Sequence, residues 1–163
     1  MTDLPIIGTL PPAPPECSMY FWVRFFANAD PTIGDEWYNW KALENLPPCG
    51  HFDFAQGGSL SFRFAPSTRD FEVVELPILA VLEMMEADQR FNLNPARWHR
   101  VKNQIHNGSI EYPWVTANRS GHPSLMDGRH RLVAMMKFLG LSHAPFVVES
   151  KHVEAVKRYF LGN

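Results

Sequence analysis

Five consecutive residues, Asp127-Gly128-Arg129-His130-Arg131, hold the densest chemistry in the sequence. They join an apolar strand-like stretch, His122 to Met126, to a helix expected from Arg129 to Leu139. The first N–H groups of a helix have no intrahelical acceptors, and the helix dipole adds partial positive charge there, so such an end is a natural anion site. Arg129 and Arg131 supply planar guanidinium forks that match phosphate oxygens. Gly128 allows a ligand to approach the backbone closely. His130, with an ordinary pKa near physiological pH, can donate a proton or a hydrogen bond. Residues two apart on a helix point to nearly opposite sides, so both arginines reach one phosphate only if Arg129 sits in the turn. Arg131 is therefore the firmer phosphate ligand on this reading. The plainer alternative is a helix start that Asp127 caps while the arginines form salt bridges elsewhere.

Around this motif stand weaker candidates. Arg97, Arg100 and Lys102 make much of one predicted helix basic, and with Arg119 they could carry the positive surface outward to a DNA backbone or an acidic partner. Glu83, Glu86 and Asp88 could complete a magnesium site, although clustered acids are more often a solvated face. His99 and His106 lie seven apart, about 10 Å along a helix, too far to share one metal. His51, His122, His143 and His152 fall in no ligand spacing. There is no Gly-x-x-x-x-Gly-Lys-Ser/Thr loop and no Gly-x-Ser-x-Gly elbow, which excludes a P-loop mechanism and disfavours an esterase.

The elements that must position these residues follow from periodicity and punctuation. Pro5, Pro11, Pro12, Pro14 and Pro15 make the start an extended lead-in, and Met19 to Phe26 reads as a strand. Gly34-Asp35 opens a helix on which Trp37, Trp40, Lys41 and Glu44 recur, ending before Pro47-Pro48. Alternation at His51–Phe54 and Leu60–Phe64 around Gly57-Gly58 predicts a hairpin. The aromatics of this region read as sheet core in preference to base-stacking platforms. Phe71 to Leu76 is a strand, Pro77 opens a helix reaching Met85, and Asn94-Pro95 opens another that Asn107-Gly108 closes, with Trp98, Val101 and Ile105 on one face. Tyr112 to Asn118 is a strand, Arg119-Ser120-Gly121 a turn, Ala144 to Glu149 a strand and Lys151 to Phe160 a helix, with Gly140 stopping the helix from Arg129. Strands alternating with helices give an α/β or α+β class.

Composition sets the frame. The 163 residues suffice for one domain with an extension, and no apolar run approaches a bilayer span. Cys17 and Cys49 are in no metal spacing and read as reduced thiols, and the first residues lack a basic start and an apolar signal core, so a cytoplasmic location without a membrane partner is expected. The net charge of −2 conceals an asymmetry: residues 1–89 carry 4 Lys/Arg against 13 Asp/Glu, and residues 90–163 carry 11 against 4. A basic half suits a polyanion or phosphate ligand, or the chain's own acidic half.

The order Asn94-Pro95, helix, Gly108, Pro113-Trp114-Val115, Leu125 to Leu132, Gly140 and Pro145 to Val148 resembles the ParB/sulfiredoxin superfamily, over about Phe71 to Val148. The sharpest part is the Gly-x-x-Arg core, Gly128 to Arg131. The resemblance implies a mixed sheet with packed helices over residues 71–163, preceded by an extension, residues 1–70, containing a helix and a hairpin. It also implies nucleotide binding, of ATP or another nucleoside triphosphate, with NTPase and metal-dependent DNase activity as candidate outputs. In that scheme Gly128, Arg129 and Arg131 hold phosphate, Asp127 holds Mg²⁺ or activates water, and His130 relays a proton. Sulfiredoxins carry their reactive Cys where this chain has Arg129, so sulfinic-acid reduction is not expected, and a complete partition protein is not expected from this length. The form is similar to small plasmid-borne members, among them fertility-inhibition proteins that block conjugative transfer. The rival expectation is a non-catalytic regulator that uses the same fold to bind a protein partner.

Overall fold

The computed structural model of the chain describes residues 38–39, 60–85, 92–93 and 95–162. The proline-rich lead-in, the strand over residues 19–26, both cysteines, the first arm of the hairpin, the Asn94 cap, Glu86 and Asp88 lie outside the described residues.

A four-stranded mixed sheet organises the rest. Its strands are β3 (Glu72–Pro77), β6 (Trp114–Ala117), β7 (Pro123–Asp127) and β8 (His143–Val148), in the order β3-β8-β6-β7. Strand β8 runs antiparallel to β3 and parallel to β6, while β6 and β7 are antiparallel. On β3, Val74 and Leu76 are buried between exposed Glu72, Val73 and Glu75, the alternation expected of a strand with one wet face. On β8, Ala144, Phe146 and Val148 are buried on one face and Val147 on the other, which makes it a strand covered on both sides.

Helices supply the cover. They are α1 (Ile78–Glu83), α2 (Pro95–His106), α3 (Arg129–Leu139) and α4 (Val153–Leu161). Ile78, Val81 and Leu82 of α1 are buried at the i, i+3, i+4 spacing of an amphipathic face, as are Val101 and Ile105 of α2. Helix α3 buries Leu132, Val133, Ala134 and Met135 in succession, because it packs against α1 and α2 and belongs to the core more than to the surface. Helix α4 packs on β3, β6 and β7 through Val153 and Val156. The architecture is mixed α/β, of the α+β kind.

Two smaller pairings depart from the sequence reading. Strand β1 (Tyr38–Asn39) pairs antiparallel with β4 (Asn92–Leu93), so these two residues are extended where a helix from Gly34 to Glu44 was expected. Recurrence of Trp37, Trp40, Lys41 and Glu44 was the helical signal, and such a local signal yields to tertiary pairing at Tyr38 and Asn39. Strand β2 (Ser61–Arg63) pairs in parallel with β5 (Ser109–Glu111), a strand that no alternation announced. The pair is tied by Arg63 Nη1 donating to Ser109 Oγ at 2.8 Å and by Phe62 stacking on Tyr112 at 5.4 Å. Residues 60–63 thus run alongside the segment that follows α2.

Candidate functional site

The candidate site forms where β7 passes into α3. In the β6–β7 ladder Val115 faces Leu125 while Trp114 faces Asp127, so Met126 is an extra, bulged residue, 57% exposed. A bulge bends the strand and re-aims its side chains, and here it turns the end of β7 towards the start of α3. Gly128 follows with φ 115°, a conformation that L side chains rarely adopt. A Cβ at this position would stand 2.7 Å from Pro113 Cβ and 3.0 Å from Pro113 Cα. The close approach that Gly128 permits is therefore made by Pro113, in the β5–β6 connection, where a ligand was expected. The first α3 hydrogen bond runs from Leu132 N–H to Gly128 O at 2.9 Å, which leaves the N–H groups of Arg129, His130 and Arg131 without intrahelical acceptors. Gly128 has no side chain with which to cap them, and Asp127 is turned to Arg131.

The two motif arginines diverge as their spacing requires. Arg131 is buried, 7% exposed, with Nη1 donating to Glu111 O at 2.7 Å and to Tyr112 O at 3.2 Å. Its Nη2 lies 3.0 Å from Asp127 Oδ2. Arg131, expected from sequence to be the firmer phosphate ligand, thus fastens the β5–β6 connection to the first turn of α3. Arg129 takes the other side and lines a cavity of about 420 Å³, within the usual range of ligand sites.

Two further cations reach that cavity from α2. Arg97, Arg100 and Val101 fall at i, i+3 and i+4, one face of the helix, and all three line it. His130, Gly128 and Asp127 complete the polar wall, and Met85, Leu125 and Met126 join Val101 in an apolar wall. Burial, and after it the Arg97 guanidinium, lowers the pKa of Arg129. Gathering such like charges is unfavourable, and an anion bound among them offsets the cost.

His130 is placed in the cavity wall but in a different state from the one expected. Burial first, then Arg129, Arg97 and Arg131, push its pKa down to about 3. It is neutral at physiological pH, so the proton donor expected from its ordinary pKa is absent. A neutral imidazole keeps one donor and one acceptor nitrogen.

The other candidates separate. Arg119 lies in the turn between β6 and β7, at the far end of β7 from Asp127, about 13 Å away by strand rise, and it does not line the cavity. The side chains of Lys102 and His99 lie outside the described residues. Glu83 lines a separate concavity with Ala80, Met84, Tyr159 and Phe160, because the buried face of α1 is Ile78, Val81 and Leu82 and Glu83 projects from the other side. His122 packs edge-on against Tyr159 and His143 Nδ1 lies 2.9 Å from Ser142 Oγ, so neither approaches the site. Among the described residues no group of three His, Cys, Asp or Glu could hold a metal ion. Asp127 contributes a carboxylate to the cavity wall, and Arg131 Nη2 lies 3.0 Å from its Oδ2.

Sequence reasoning found Gly128, Arg129, His130, Arg97 and Arg100, and set the last two on a surface leading outward from the pocket where the structure has them in its lining. The i, i+3 spacing of Arg97 and Arg100 was the available signal. Met85 and Met126 gave none, since a methionine beside a cavity reads like any core methionine.

Comparison of the chain with known protein families, with curated proteins and with solved structures returns no match.

Proposed function

We propose that this chain binds a nucleoside phosphate in the cavity at the start of α3, as a nucleotide-binding protein of ParB/sulfiredoxin type. One observation carries the reading: Arg97 and Arg100 of α2 converge with Arg129 on a helix N-terminus, beside an apolar wall, in a cavity of about 420 Å³. Guanidinium forks and the positive end of a helix suit phosphate oxygens, and apolar side chains suit a flat heterocycle. A phosphate or a carboxylate alone would leave the apolar wall unused.

Hydrolysis is the activity this arrangement best supports. Phosphoryl transfer needs positioning and charge stabilisation more than covalent chemistry from the protein. Arg129 and Arg100 would neutralise charge on the phosphoryl oxygens, and neutral His130 would accept a hydrogen bond from the attacking water. Exposed Arg97 and Arg100 at the cavity mouth also suit a DNA phosphate backbone, so metal-dependent DNA cleavage belongs to the same reading. No described helix is long and apolar enough to cross a bilayer.

A second reading, a regulator that binds nucleotide without turning it over and acts through a protein partner, is favoured by a different observation. Asp127 is held by Arg131, and His130 with a pKa of about 3 is a weak base. Turnover separates the two. Phosphate release from ATP, CTP, GTP and UTP, with and without Mg²⁺, is measured alongside cleavage of supercoiled DNA. Release that is lost in Arg129→Ala supports the enzyme, and saturable binding without release supports the regulator. Absence of nucleotide binding contradicts both.

A further inference from the structure

Strand β3 ends the four-stranded sheet, and its ladder with β8 fixes which of its backbone groups are engaged. In an antiparallel pair, residues directly opposite alternate between exchanging both backbone hydrogen bonds and exchanging none. Ile78 N–H donates to Ser142 O at 2.9 Å. The register carries that phase back along β3, to Leu76 with Ala144, Val74 with Phe146 and Glu72 with Val148. The intervening Val73 and Glu75 therefore aim their N–H and C=O groups away from β8. Pro145 agrees with this phase: it has no N–H, and it stands opposite Glu75, in a pair that exchanges none. Among the described residues no backbone hydrogen bond reaches this outer edge. Val73 is 46% exposed, and Glu72 and Glu75 are exposed as well.

We infer that the outer edge of β3 takes an extended segment of a partner protein as a further strand, one with basic side chains opposite Glu72 and Glu75. An unpaired edge is a template for strand addition, in which main-chain hydrogen bonds supply affinity and alternate side chains supply selectivity. Charge decides the occupant. Residues 69–77 carry Asp70, Glu72 and Glu75 against Arg69, and no ion pair among the described residues involves Glu72 or Glu75. Side chains directly opposite on adjacent strands are about 4.5–5.5 Å apart at Cβ, so Lys or Arg opposite each glutamate is favoured. A second copy pairing through β3 would gather four such carboxylates in one ladder, which opposes it. Val73 shares the Glu75 face, so the segment reads basic opposite Glu75, apolar opposite Val73 and basic opposite Glu72. Strand addition here is independent of what the cavity at the start of α3 binds.

Two labelled peptides test this by fluorescence anisotropy with the full chain. Thr-Lys-Val-Thr-Lys-Thr matches a parallel added strand, and Thr-Lys-Thr-Val-Lys-Thr an antiparallel one. One of them should bind saturably, and its counterpart with Glu for Lys should bind at least about tenfold more weakly. Hydrogen exchange followed by NMR locates the contact: the Val73 and Glu75 amides should exchange freely in the chain alone and be protected by the peptide. Val73→Pro removes an N–H that β8 does not use, a change edge strands tolerate, and should weaken the peptide by about tenfold or more. Glu75→Lys, which leaves the backbone as it is, should weaken the Lys peptide and favour the Glu one. No binding of either peptide up to millimolar concentration overturns the inference. So does equal affinity for the Lys and Glu peptides, or binding that leaves these two amides unprotected. Protection of both amides before any peptide is added overturns it too, because the edge is then already covered by the chain itself or by a second copy.

Discussion

At the residue scale, two arginines two positions apart have opposite assignments, and substitution should separate them. Arg131 donates to two backbone carbonyls from a buried position, so Arg131→Ala leaves Glu111 O and Tyr112 O without that donor. The loss is about 2–4 kcal/mol, with little of it from Asp127, whose carboxylate is largely in water. In a chain of this size each kcal/mol lowers the melting temperature by about 2–4 °C, so calorimetric melting detects the change. Arg129→Ala should remove nucleotide binding and lower melting less than Arg131→Ala does, and the reverse pattern would exchange the two roles. His130 gives a pH prediction. Its pKa is about 3 in the fold against an ordinary 6.5, so between those values the unfolded chain binds more protons. Stability should fall as pH drops from 6.5 towards 3, by at most about 1.4 kcal/mol per unit from this group. His130→Gln should flatten the melting-temperature profile in that window, and an unchanged slope would place the titrating group elsewhere.

At the scale of elements, the site depends on a bulge, a glycine and a proline more than on any helix propensity. Gly128→Ala must bring a Cβ within 2.7 Å of Pro113 Cβ at φ 115°, and should cost about 2 kcal/mol or more. Urea unfolding measures it, and a neutral result would mean that the β5–β6 connection can move aside. Much of this level was legible in the sequence. Gly140 ends α3 and Gly108 follows α2 as their positions predict, and apolar periodicity located β3, β6, β7 and β8 within a few residues. The failures have a common physical origin. Strands β1 and β5 are two and three residues long, too short for alternation to register, and they exist because a distant segment offers its backbone. The Met126 bulge is likewise a property of two strands in register, which one strand's sequence does not contain. The contacts of Arg131 were hidden for a related reason. Its partners are carbonyls, and carbonyls have no signature in a sequence.

For the whole molecule, the basic balance of residues 90–163 gains a local meaning, since Arg97, Arg100, Arg129 and Arg131 are gathered around the start of α3 within that half. Binding that rests on such a cluster is electrostatic at its mouth, where Arg97 and Arg100 are exposed, and should weaken as ionic strength rises. Titrations at low and high salt check this, and a salt-independent affinity would shift the burden to the apolar wall. The most direct test of the central claim is the melting temperature of the full chain with a saturating nucleoside triphosphate, for wild type and for Arg129→Ala. A ligand that binds the native state raises the melting point by mass action, by about 2.7 kcal/mol of stability at a hundredfold excess over Kd. The account predicts a rise in wild type and none in Arg129→Ala. An unshifted wild type, or an equal rise in both, would contradict a phosphate site at the start of α3.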